Sequence, residues 1–272
     1  MAMTTSQYLP RPEGRLAYDV TGPSSGPLVV CLPGMGELRS SYRHLVPLLA
    51  ARGYRVACLD LRGHGDSDTT FSSFDDEALA SDALALVDEL GGPAYLVGNS
   101  MGAGAAVVAA VERPGDVLGL ALLGPFVRNP PGSRLGTLMF RLALLRPWGP
   151  AAFMAYYPRW LPGVRPEGYD EHTAAVRENL RRPGHWRAFV RTTRTTHAPA
   201  EARLPEVTAP TVVVMGTDDV DWPDPEAEGR WVADALDAEL VMAPGVGHYP
   251  QAQAPDLVAD AVDRLARSAP RA

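Results

Sequence analysis

Apolar and polar residues form two kinds of pattern that follow one another along the chain, one typical of strands and one typical of helices. Nearly continuous apolar runs of strand length occupy residues 28–32, 94–98, 118–124, 211–216 and 238–244. Such runs are typical of strands that lie buried on both faces of a parallel sheet. Residues 54–61 predict another strand, whereas residues 14–20 alternate apolar and polar side chains, which is typical of a half-buried edge strand.

Segments with helical periodicity separate most of these strands. Residues 40–53 carry one apolar stripe and end at Gly53, a residue that can stop a helix. Residues 75–91 begin with acidic side chains, which a helix dipole favours in its first turn, and residues 256–268 predict a final helix. Strands that alternate with helices predict an α/β fold with a parallel sheet, helices on both faces and right-handed crossovers.

The alternation stops between Leu123 and Thr211, where no convincing buried strand is found. This stretch holds prolines, scattered aromatic residues and short helical patterns. We interpret residues 127–204 as an inserted, mostly helical cap or lid, and residues 1–126 and 205–272 as the core. The inserted stretch has an excess of eight positive charges, which we interpret as solvated helix faces and arginines that dock onto the acidic core.

Composition and charge exclude several classes of function. The 272 residues carry a formal net charge of −7, which argues against general nucleic-acid binding. All 25 basic residues are arginine, so no lysine is present for a Schiff base or a phosphate-binding loop. No apolar run is long enough to span a bilayer, and the first residues lack the pattern of a secretory signal. We therefore expect a cytoplasmic monomer or homodimer that binds neither nucleic acid nor membranes.

The two cysteines, Cys31 and Cys58, each lie in an apolar run of strand type. Buried free thiols are the expected state for such cysteines. The sequence offers no cluster of cysteines and histidines with the spacing of a metal site. We therefore predict neither a disulfide nor a bound metal.

The strongest chemical signal is the segment "AYLVGNSMGAGAAVVAAVE" at 94–112, which predicts a strand, a sharp turn and a helix. Ser100 lies in the turn, within a G-x-S-x-G pentapeptide. The pentapeptide alone is weak evidence, because glycine and serine are common in turns. Its place between strand and helix, however, is where a nucleophile elbow requires the serine. Gly98 and Gly102 leave room for close packing, so we predict that Ser100 is a nucleophile.

A nucleophilic serine needs a base, and His248 is the histidine best placed to serve. It lies in a glycine-rich loop directly after the strand predicted at 238–244, where a side chain can reach a neighbouring strand end. We interpret the histidines of helix-like and inserted segments as surface or packing residues; these are His44, His172, His185 and His197.

The base in turn needs a carboxylate that fixes its tautomer and stabilises the imidazolium ion. The strand at 211–216 is followed by Asp218, Asp219, Asp221 and Asp224. The residues alone do not rank these four aspartates. We expect at least one of them to complete a catalytic triad.

Two backbone N–H groups are predicted to bind the oxyanion that forms during attack. One belongs to Met101, which follows the nucleophile. The other belongs to Met35, in the "PGMG" loop at 33–36 that follows the strand at 28–32. A plain strand-to-helix turn would also use proline and glycine here, and the two interpretations are compatible.

Together these motifs resemble the α/β-hydrolase fold family. The order of Ser100, aspartate and His248 along the chain is the family's order, and the resemblance covers about residues 1–126 and 205–272. It implies a mostly parallel sheet of the eight-stranded type with helices on both faces. The insertion at 127–204 occupies the position of the family's cap.

The resemblance also assigns individual residues. In the family the acid commonly lies three residues after a strand-ending glycine. Counting from Gly216, this implies Asp219, with Asp218 and Asp221 as alternatives. The segment "DLRGHGDS" is similar to a family loop, and this likeness implies a structural role for His64.

Two positions bear on which branch of the family the chain resembles. Pro33 replaces the histidine of the family's His-Gly-x-x segment, a residue that is usually structural, so the change casts little doubt on activity. The nucleophile is Ser100 rather than an aspartate, which argues against the haloalkane dehalogenase and epoxide hydrolase chemistries of this fold.

These features predict a serine hydrolase that cleaves a carboxylic ester or lactone through an acyl-enzyme, without metal or cofactor. Alternatives on the same triad are C–C bond or thioester hydrolysis, peracid formation, and biosynthetic acyl transfer or cyclisation. A non-catalytic small-molecule binder on the same fold is a further alternative. The aromatic residues of the insertion predict an apolar or aromatic small-molecule substrate, and we expect Gly34, Phe126 and Tyr249 to contact it. The alternative is that these aromatic residues form the core of the insertion itself.

Overall fold

A computed structural model describes residues 6–132 and 134–268. The strands, in chain order, are β1 (Gln7–Arg11), β2 (Gly14–Thr21), β3 (Leu28–Leu32), β4 (Arg55–Leu59), β5 (Ala94–Asn99), β6 (Val117–Leu123), β7 (Thr211–Gly216) and β8 (Glu239–Ala243). They form an eight-stranded sheet in the order β1-β2-β4-β3-β5-β6-β7-β8. β2 pairs antiparallel with β1 and β4, and the other pairings are parallel. This sheet confirms the predicted fold class.

Helices connect the strands and cover both faces of the sheet. They are α1 (Leu45–Ala51), α2 (Asp76–Leu90), α3 (Met101–Glu112), α4 (Arg134–Ala143), α5 (Gly149–Tyr156), α6 (Tyr169–Arg181), α7 (His185–Thr192), α8 (Ala198–Arg203), α9 (Pro225–Ala235), α10 (Pro250–Gln253) and α11 (Pro255–Ser268). Short 3₁₀ turns lie at Arg39–Tyr42, Pro114–Asp116, Tyr157–Trp160 and Leu204–Glu206.

The period-2 alternation of β3 divides the core into two layers. Val30 and Leu32 pack in one apolar cluster with residues of α2 and α3. Val29 and Cys31 point to the other face and pack with residues of α1 and α11. Every residue of β3 is buried, as its continuous apolar run predicts. Cys31 and its neighbour Cys58 on β4 are buried free thiols, which confirms that prediction.

Two predictions about sheet edges were wrong. β2 is an internal strand, because β1 pairs with its outer side and forms the edge. Sequence reasoning missed β1, whose five residues "QYLPR" are too few and too polar to give a periodic signal. β8 forms the opposite edge and is mostly half-exposed rather than buried. An edge strand lacks a neighbour on one side, so its apolar run does not produce full burial.

The helix predicted at 40–53 is divided. A 3₁₀ turn at Arg39–Tyr42 is followed by α1, which begins at Leu45. Pro47 explains the division, because its nitrogen carries no hydrogen and fits only in the first turn of a helix. By contrast, α2 matches its prediction: the Asp75 carboxylate accepts a hydrogen bond from the Ala78 N–H at 2.8 Å, and the helix ends at Gly91.

The turn between β5 and α3 brings backbone into contact with backbone. A Cβ on Gly98 would lie 2.3 Å from the carbonyl oxygen of Gly102. A Cβ on Gly102 would lie 2.1 Å from the carbonyl oxygen of Leu32. No side chain fits at either position, so glycine is required at both. Residues 103–106 of α3 are small and buried as well, and the helix therefore packs tightly on the sheet.

The chain between β6 and β7 contains α4 to α8 and, in the part that the structure describes, no strand. These helices lie within the insertion predicted at 127–204, of which Ser133 is outside the described residues. The predicted core boundaries at 1 and 272 also fall outside them, and the division into core and cap stays a prediction. Across the described ranges, no helix is both long and apolar enough to cross a membrane.

Gly102→Ala is expected to lower the free energy of unfolding by at least ~2 kcal/mol, because the new methyl group overlaps the Leu32 carbonyl. Gly115→Ala is the matched control, since a Cβ at Gly115 meets nothing within 4 Å. Its effect should stay within about 0.5 kcal/mol. Urea denaturation measures both changes, and equal stability of the two variants would contradict the close approach of α3 to β3.

Candidate active site

Ser100 occupies the sharp turn where β5 passes into α3. Its φ of 56° and ψ of −122° lie outside the regions that non-glycine residues usually adopt. Hydrogen bonds hold this strained conformation: the Ser100 N–H donates to the Leu123 carbonyl at 3.0 Å, and the Phe126 N–H donates to the Ser100 carbonyl at 3.2 Å. Strain that the surroundings enforce is a feature of functional sites, and the predicted elbow geometry is present.

His248 lies in the loop that follows β8 and is 2% exposed. Its Nδ1 donates to Asp219 Oδ2 at 2.7 Å, and its backbone N–H donates to the Trp160 carbonyl at 2.9 Å. This leaves Nε2 as the free nitrogen. Ser100 and His248 line the same cavity, although no hydrogen bond joins their side chains in the described part of the chain. Such bonds are often long in substrate-free enzymes.

The four candidate aspartates occupy different environments. Asp219 is buried against His248, whereas the Asp218 carboxylate accepts a hydrogen bond from the Thr217 hydroxyl at 2.9 Å. Asp224 caps α9 by accepting from the Ala227 N–H at 2.9 Å. Asp221 Oδ2 lies 3.5 Å from His248 Nδ1. The geometry therefore favours Asp219 as the orienting acid, as the family spacing implies, and gives Asp221 a secondary electrostatic role.

Two carboxylates control the charge of His248. Burial alone would lower the pKa of His248, but the negative charges of Asp219 and Asp221 outweigh burial and raise that pKa to about 9. The Trp160 Nε1–H donates to both oxygens of Asp221 at 2.9 Å, and burial raises the pKa of this carboxyl group. The surroundings thus stabilise a protonated His248 ring, which is the state that a general base reaches after it removes a proton.

The same three side chains have the spacing of a metal site, since their ligand atoms lie within 4.8 Å of one another. Their facing atoms are already paired. His248 Nδ1 is bonded to Asp219, and both oxygens of Asp221 accept from Trp160. This is a hydrogen-bonding arrangement rather than an open set of ligands, and the prediction that no metal binds here stays a prediction.

The loop at 33–36 lies against Ser100. A Cβ on Gly34 would lie 2.9 Å from the Ser100 Cβ, so glycine allows the loop to approach. Neither the Met35 N–H nor the Met101 N–H is hydrogen-bonded within the described residues. An oxyanion hole requires N–H groups that have no other partner, so both predicted donors are compatible with that role, which stays a prediction.

His64 stabilises the loop at 33–36 by a hydrogen bond to its backbone. Its Nε2 accepts a hydrogen bond from the Gly36 N–H at 3.1 Å, and Nδ1 lies 3.0 Å from the Arg62 carbonyl. Burial lowers the pKa of His64 to about 4. A neutral ring with its proton on Nδ1 satisfies both contacts. His64 is therefore a structural residue of the site, consistent with the role that the family resemblance implies.

A cavity of about 540 Å³ opens beside Ser100. The three predicted substrate-contact residues, Gly34, Phe126 and Tyr249, all line it. Aromatic side chains of the inserted helices also line it, among them Phe153, Trp160 and Phe189. Much of the wall is therefore apolar.

Two groups of residues in or near this cavity were missed by sequence reasoning. His197, interpreted as a packing residue, lines the cavity and is bonded to the buried Asp76. The sequence contained a partial signal for this pair. Asp75 and Asp76 are adjacent at the start of α2, and only one aspartate is needed to cap the helix.

The second group is built around Glu37, which is buried directly after the loop at 33–36. Its carboxylate accepts hydrogen bonds from the Tyr157 hydroxyl and from His172 Nε2, the latter at 2.8 Å. Burial alone would raise the pKa of Glu37, but His172 and Tyr157 outweigh burial and lower it. Nothing in the sequence indicates that these distant side chains meet.

Comparison with known proteins identifies the family of this chain. The model of the Alpha/beta hydrolase family matches residues 29–261. The chain belongs to the alpha/beta hydrolase family. The match includes all three of the proposed catalytic residues, Ser100, Asp219 and His248.

Relatives within the alpha/beta hydrolase family carry the names of several hydrolases. The chain is 29% identical to "Putative carbamate hydrolase RutD" of Variovorax paradoxus over 244 residues, which cover 86% of this chain and 89% of that protein. It is 36% identical to Epoxide hydrolase B of Mycobacterium tuberculosis over 119 residues, which cover 41% of this chain but only 33% of that protein. These relatives support hydrolase activity without fixing the bond that is cleaved.

Solved alpha/beta hydrolases share the fold. The enol-lactonase from Burkholderia xenovorans has a TM-score of 0.77 and 23% sequence identity, with 96% of this chain and 100% of that chain covered. Identity at this level establishes the common fold alone.

His64 is expected to make stability depend on pH. Because its pKa falls from 6.5 in the unfolded chain to about 4 in the fold, the unfolded state takes up a proton first as the pH falls. The stability linked to this group is therefore complete above about pH 6.5 and is lost toward pH 4, by about 3 kcal/mol in total.

The test compares urea unfolding of the native chain and His64→Gln at several pH values. The stability advantage of the native chain should shrink by about 3 kcal/mol between pH 7 and pH 4. An advantage that stays constant with pH would contradict a buried neutral His64.

Proposed function

We propose that this protein is a serine hydrolase that cleaves carboxylic ester or lactone bonds through Ser100, His248 and Asp219. The observation that carries the proposal is the strained Ser100, which opens into the same cavity as His248. The opposite nitrogen of that histidine is bonded to the buried Asp219 at 2.7 Å. A serine, a histidine and a carboxylate in this relation support nucleophilic catalysis on a carbonyl group.

In the proposed reaction, His248 Nε2 removes the proton of Ser100, whose Oγ attacks the carbonyl carbon. Negative charge develops on the carbonyl oxygen, and the N–H groups of Met35 and Met101 stabilise it. Two such donors each contribute roughly 3 kcal/mol to the transition state. His248 then protonates the leaving alcohol, and the same residue activates water to release the acyl group.

The nucleophile and the cavity favour ester or lactone cleavage over the neighbouring chemistries. Epoxide opening in this fold uses an aspartate nucleophile, and serine occupies that position here. Carbamates and thioesters present the same carbonyl to Ser100, so they belong among the candidate substrates. The apolar wall formed by Phe153, Trp160 and Phe189 supports an apolar acyl or alcohol group.

We also propose that residues 127–204 act as the cap of this hydrolase. The 3₁₀ turn at Tyr157–Trp160 supports this assignment, since Trp160 bonds both the His248 backbone and the Asp221 carboxylate. The inserted segment would therefore help to position the base as well as enclose the substrate.

The decisive experiment is a panel of chromogenic esters, lactones and carbamates of graded chain length. The native chain should hydrolyse at least one of them, and Ser100→Ala should lose at least ~10³-fold in kcat. Ser24→Ala, in an exposed loop, is the matched control and should retain full activity. A native chain that cleaves none of these compounds and is not labelled by a serine-directed phosphonate would contradict the proposal.

Substitution of Asp219 and of Asp221 should affect different properties of the proposed enzyme. Asp219→Asn is expected to lower kcat by roughly 10³- to 10⁴-fold, because the ring of His248 loses its orienting carboxylate. Asp221→Asn should retain most activity but shift the acidic limb of kcat/KM to lower pH. The base acts when deprotonated, and this variant removes one of the charges that raise the pKa of His248 to about 9.

Asp218→Asn serves as the control for both aspartate variants, since its carboxylate bonds only Thr217 among the described side chains. Kinetics across a pH series supply the measurement. A larger loss for Asp221→Asn than for Asp219→Asn, or an acidic limb that does not move, would show that the two roles are assigned wrongly.

A further inference from the structure

A second histidine–aspartate pair faces the cavity in addition to His248 and Asp219. His197 Nδ1 lies 2.9 Å from Asp76 Oδ2 and 3.1 Å from Asp76 Oδ1. His197 is 5% exposed and Asp76 is fully buried. The proposed triad uses neither residue of this buried polar pair.

Three separate elements hold the pair in place. Asp75 caps α2, which leaves the Asp76 carboxylate free to bond elsewhere. A Cβ on Gly104 of α3 would lie 2.8 Å from Asp76 Oδ2, so glycine makes room for the carboxylate. The backbone N–H of His197 donates to Asn129 Oδ1 at 3.0 Å. The ring is therefore fixed at both its backbone and its Nδ1 edge.

The second nitrogen of the fixed ring belongs to a residue of the cavity wall. With Nδ1 committed to Asp76, Nε2 is the remaining polar atom of a residue that lines the cavity wall. Nε2 has no hydrogen-bond partner among the described residues. The Phe126 ring contacts both histidines, with centroids 5.6 Å from His197 and 5.5 Å from His248. Both histidines therefore line the cavity beside the same phenylalanine ring.

Positive charge is concentrated on the same wall. Arg194, two residues beyond α7, and Arg141 of α4 line the cavity, and neither forms an ion pair within the described part of the chain. The acidic residue of the lining is Asp221, whose oxygens accept from Trp160. The guanidinium groups of Arg194 and Arg141, which form no ion pair among the described residues, would therefore be available to an anionic group of a substrate.

We propose that His197 and Arg194 form a subsite for a carboxylate that the substrate carries away from its scissile ester or lactone bond. This inference rests on the proposed hydrolase function. While Nδ1 of His197 is bonded to Asp76, an N–H at Nε2 would donate to the substrate carboxylate. The Arg194 guanidinium supplies a charge-assisted contact to the same group. The substrate class narrows to half-esters of dicarboxylic acids and to lactones that bear a carboxylate.

Binding to Ser100→Ala tests the subsite without requiring turnover. The ligands are the monomethyl esters of dicarboxylic acids from succinic to suberic acid, each paired with the methyl ester of the monocarboxylic acid of equal chain length. Isothermal titration calorimetry should show at least ~10-fold tighter binding of a half-ester than of its paired neutral ester, as expected for a charge-assisted hydrogen bond.

Two further substitutions in the Ser100→Ala background identify the residues. His197→Asn keeps a polar group near Asp76 but withdraws Nε2 from the cavity, and Arg194→Gln removes the guanidinium charge. Each should reduce half-ester affinity roughly 10- to 100-fold and leave the neutral ester within about threefold. Arg187→Gln is the control for charge, because Arg187 is an exposed arginine of α7 outside the cavity lining.

The outcomes separate the subsite from the hydrolase function. Equal affinity for half-esters and neutral esters, or equal losses for Arg194→Gln and Arg187→Gln, would overturn the subsite even if the esters are hydrolysed. An ω-hydroxy ester that binds as tightly as the half-ester would overturn the assignment to an anion. Selective half-ester binding by a chain that hydrolyses no ester would support the subsite and contradict the proposed function. Because Arg194 is exposed, its variant remains informative if His197→Asn does not fold.

Discussion

The close approach of α3 to the centre of the sheet is the constraint on which the site depends. Gly98 and Gly102 bring main chain against main chain, and a side chain at either position would overlap a carbonyl group. The chain must therefore turn sharply within the three residues between them, and Ser100 adopts a positive φ of 56°. The neighbouring strand β6 holds Ser100 in this strained conformation, because its Leu123 carbonyl accepts the Ser100 N–H.

The same turn connects the parts of the site to one another. The amide of Asn99 donates to both the Leu123 carbonyl and the His248 carbonyl, each at 2.9 Å. One buried side chain thus joins the serine turn, the end of β6 and the histidine loop. A shift of any one of these elements would leave a buried polar group unpaired, which costs about 1–3 kcal/mol.

The segment between β6 and β7 contributes to the electrostatic surroundings of His248 as well as to the cavity. The Trp160 carbonyl and indole bond the backbone of His248 and the carboxylate of Asp221. Tyr157, three residues earlier, bonds Glu37 directly after the loop at 33–36. Because these contacts cross between the insertion and the sheet, displacement of the insertion would alter the charge environment of His248 and the position of that loop together.

The amino-acid sequence alone determined the sheet class, most strand positions and the relation of Ser100 to its flanking glycines, because these features depend on local periodicity and local sterics. It narrowed the acid to four neighbouring aspartates, and family spacing favoured Asp219. Only the tertiary structure showed that Asp219 lies at 2.7 Å from His248 while Asp221 is bound by Trp160. Likewise, no local pattern pairs His197 with Asp76, which are 121 positions apart. Contacts of that kind arise from the packing of separate elements, and a single sequence carries no periodic signal for them.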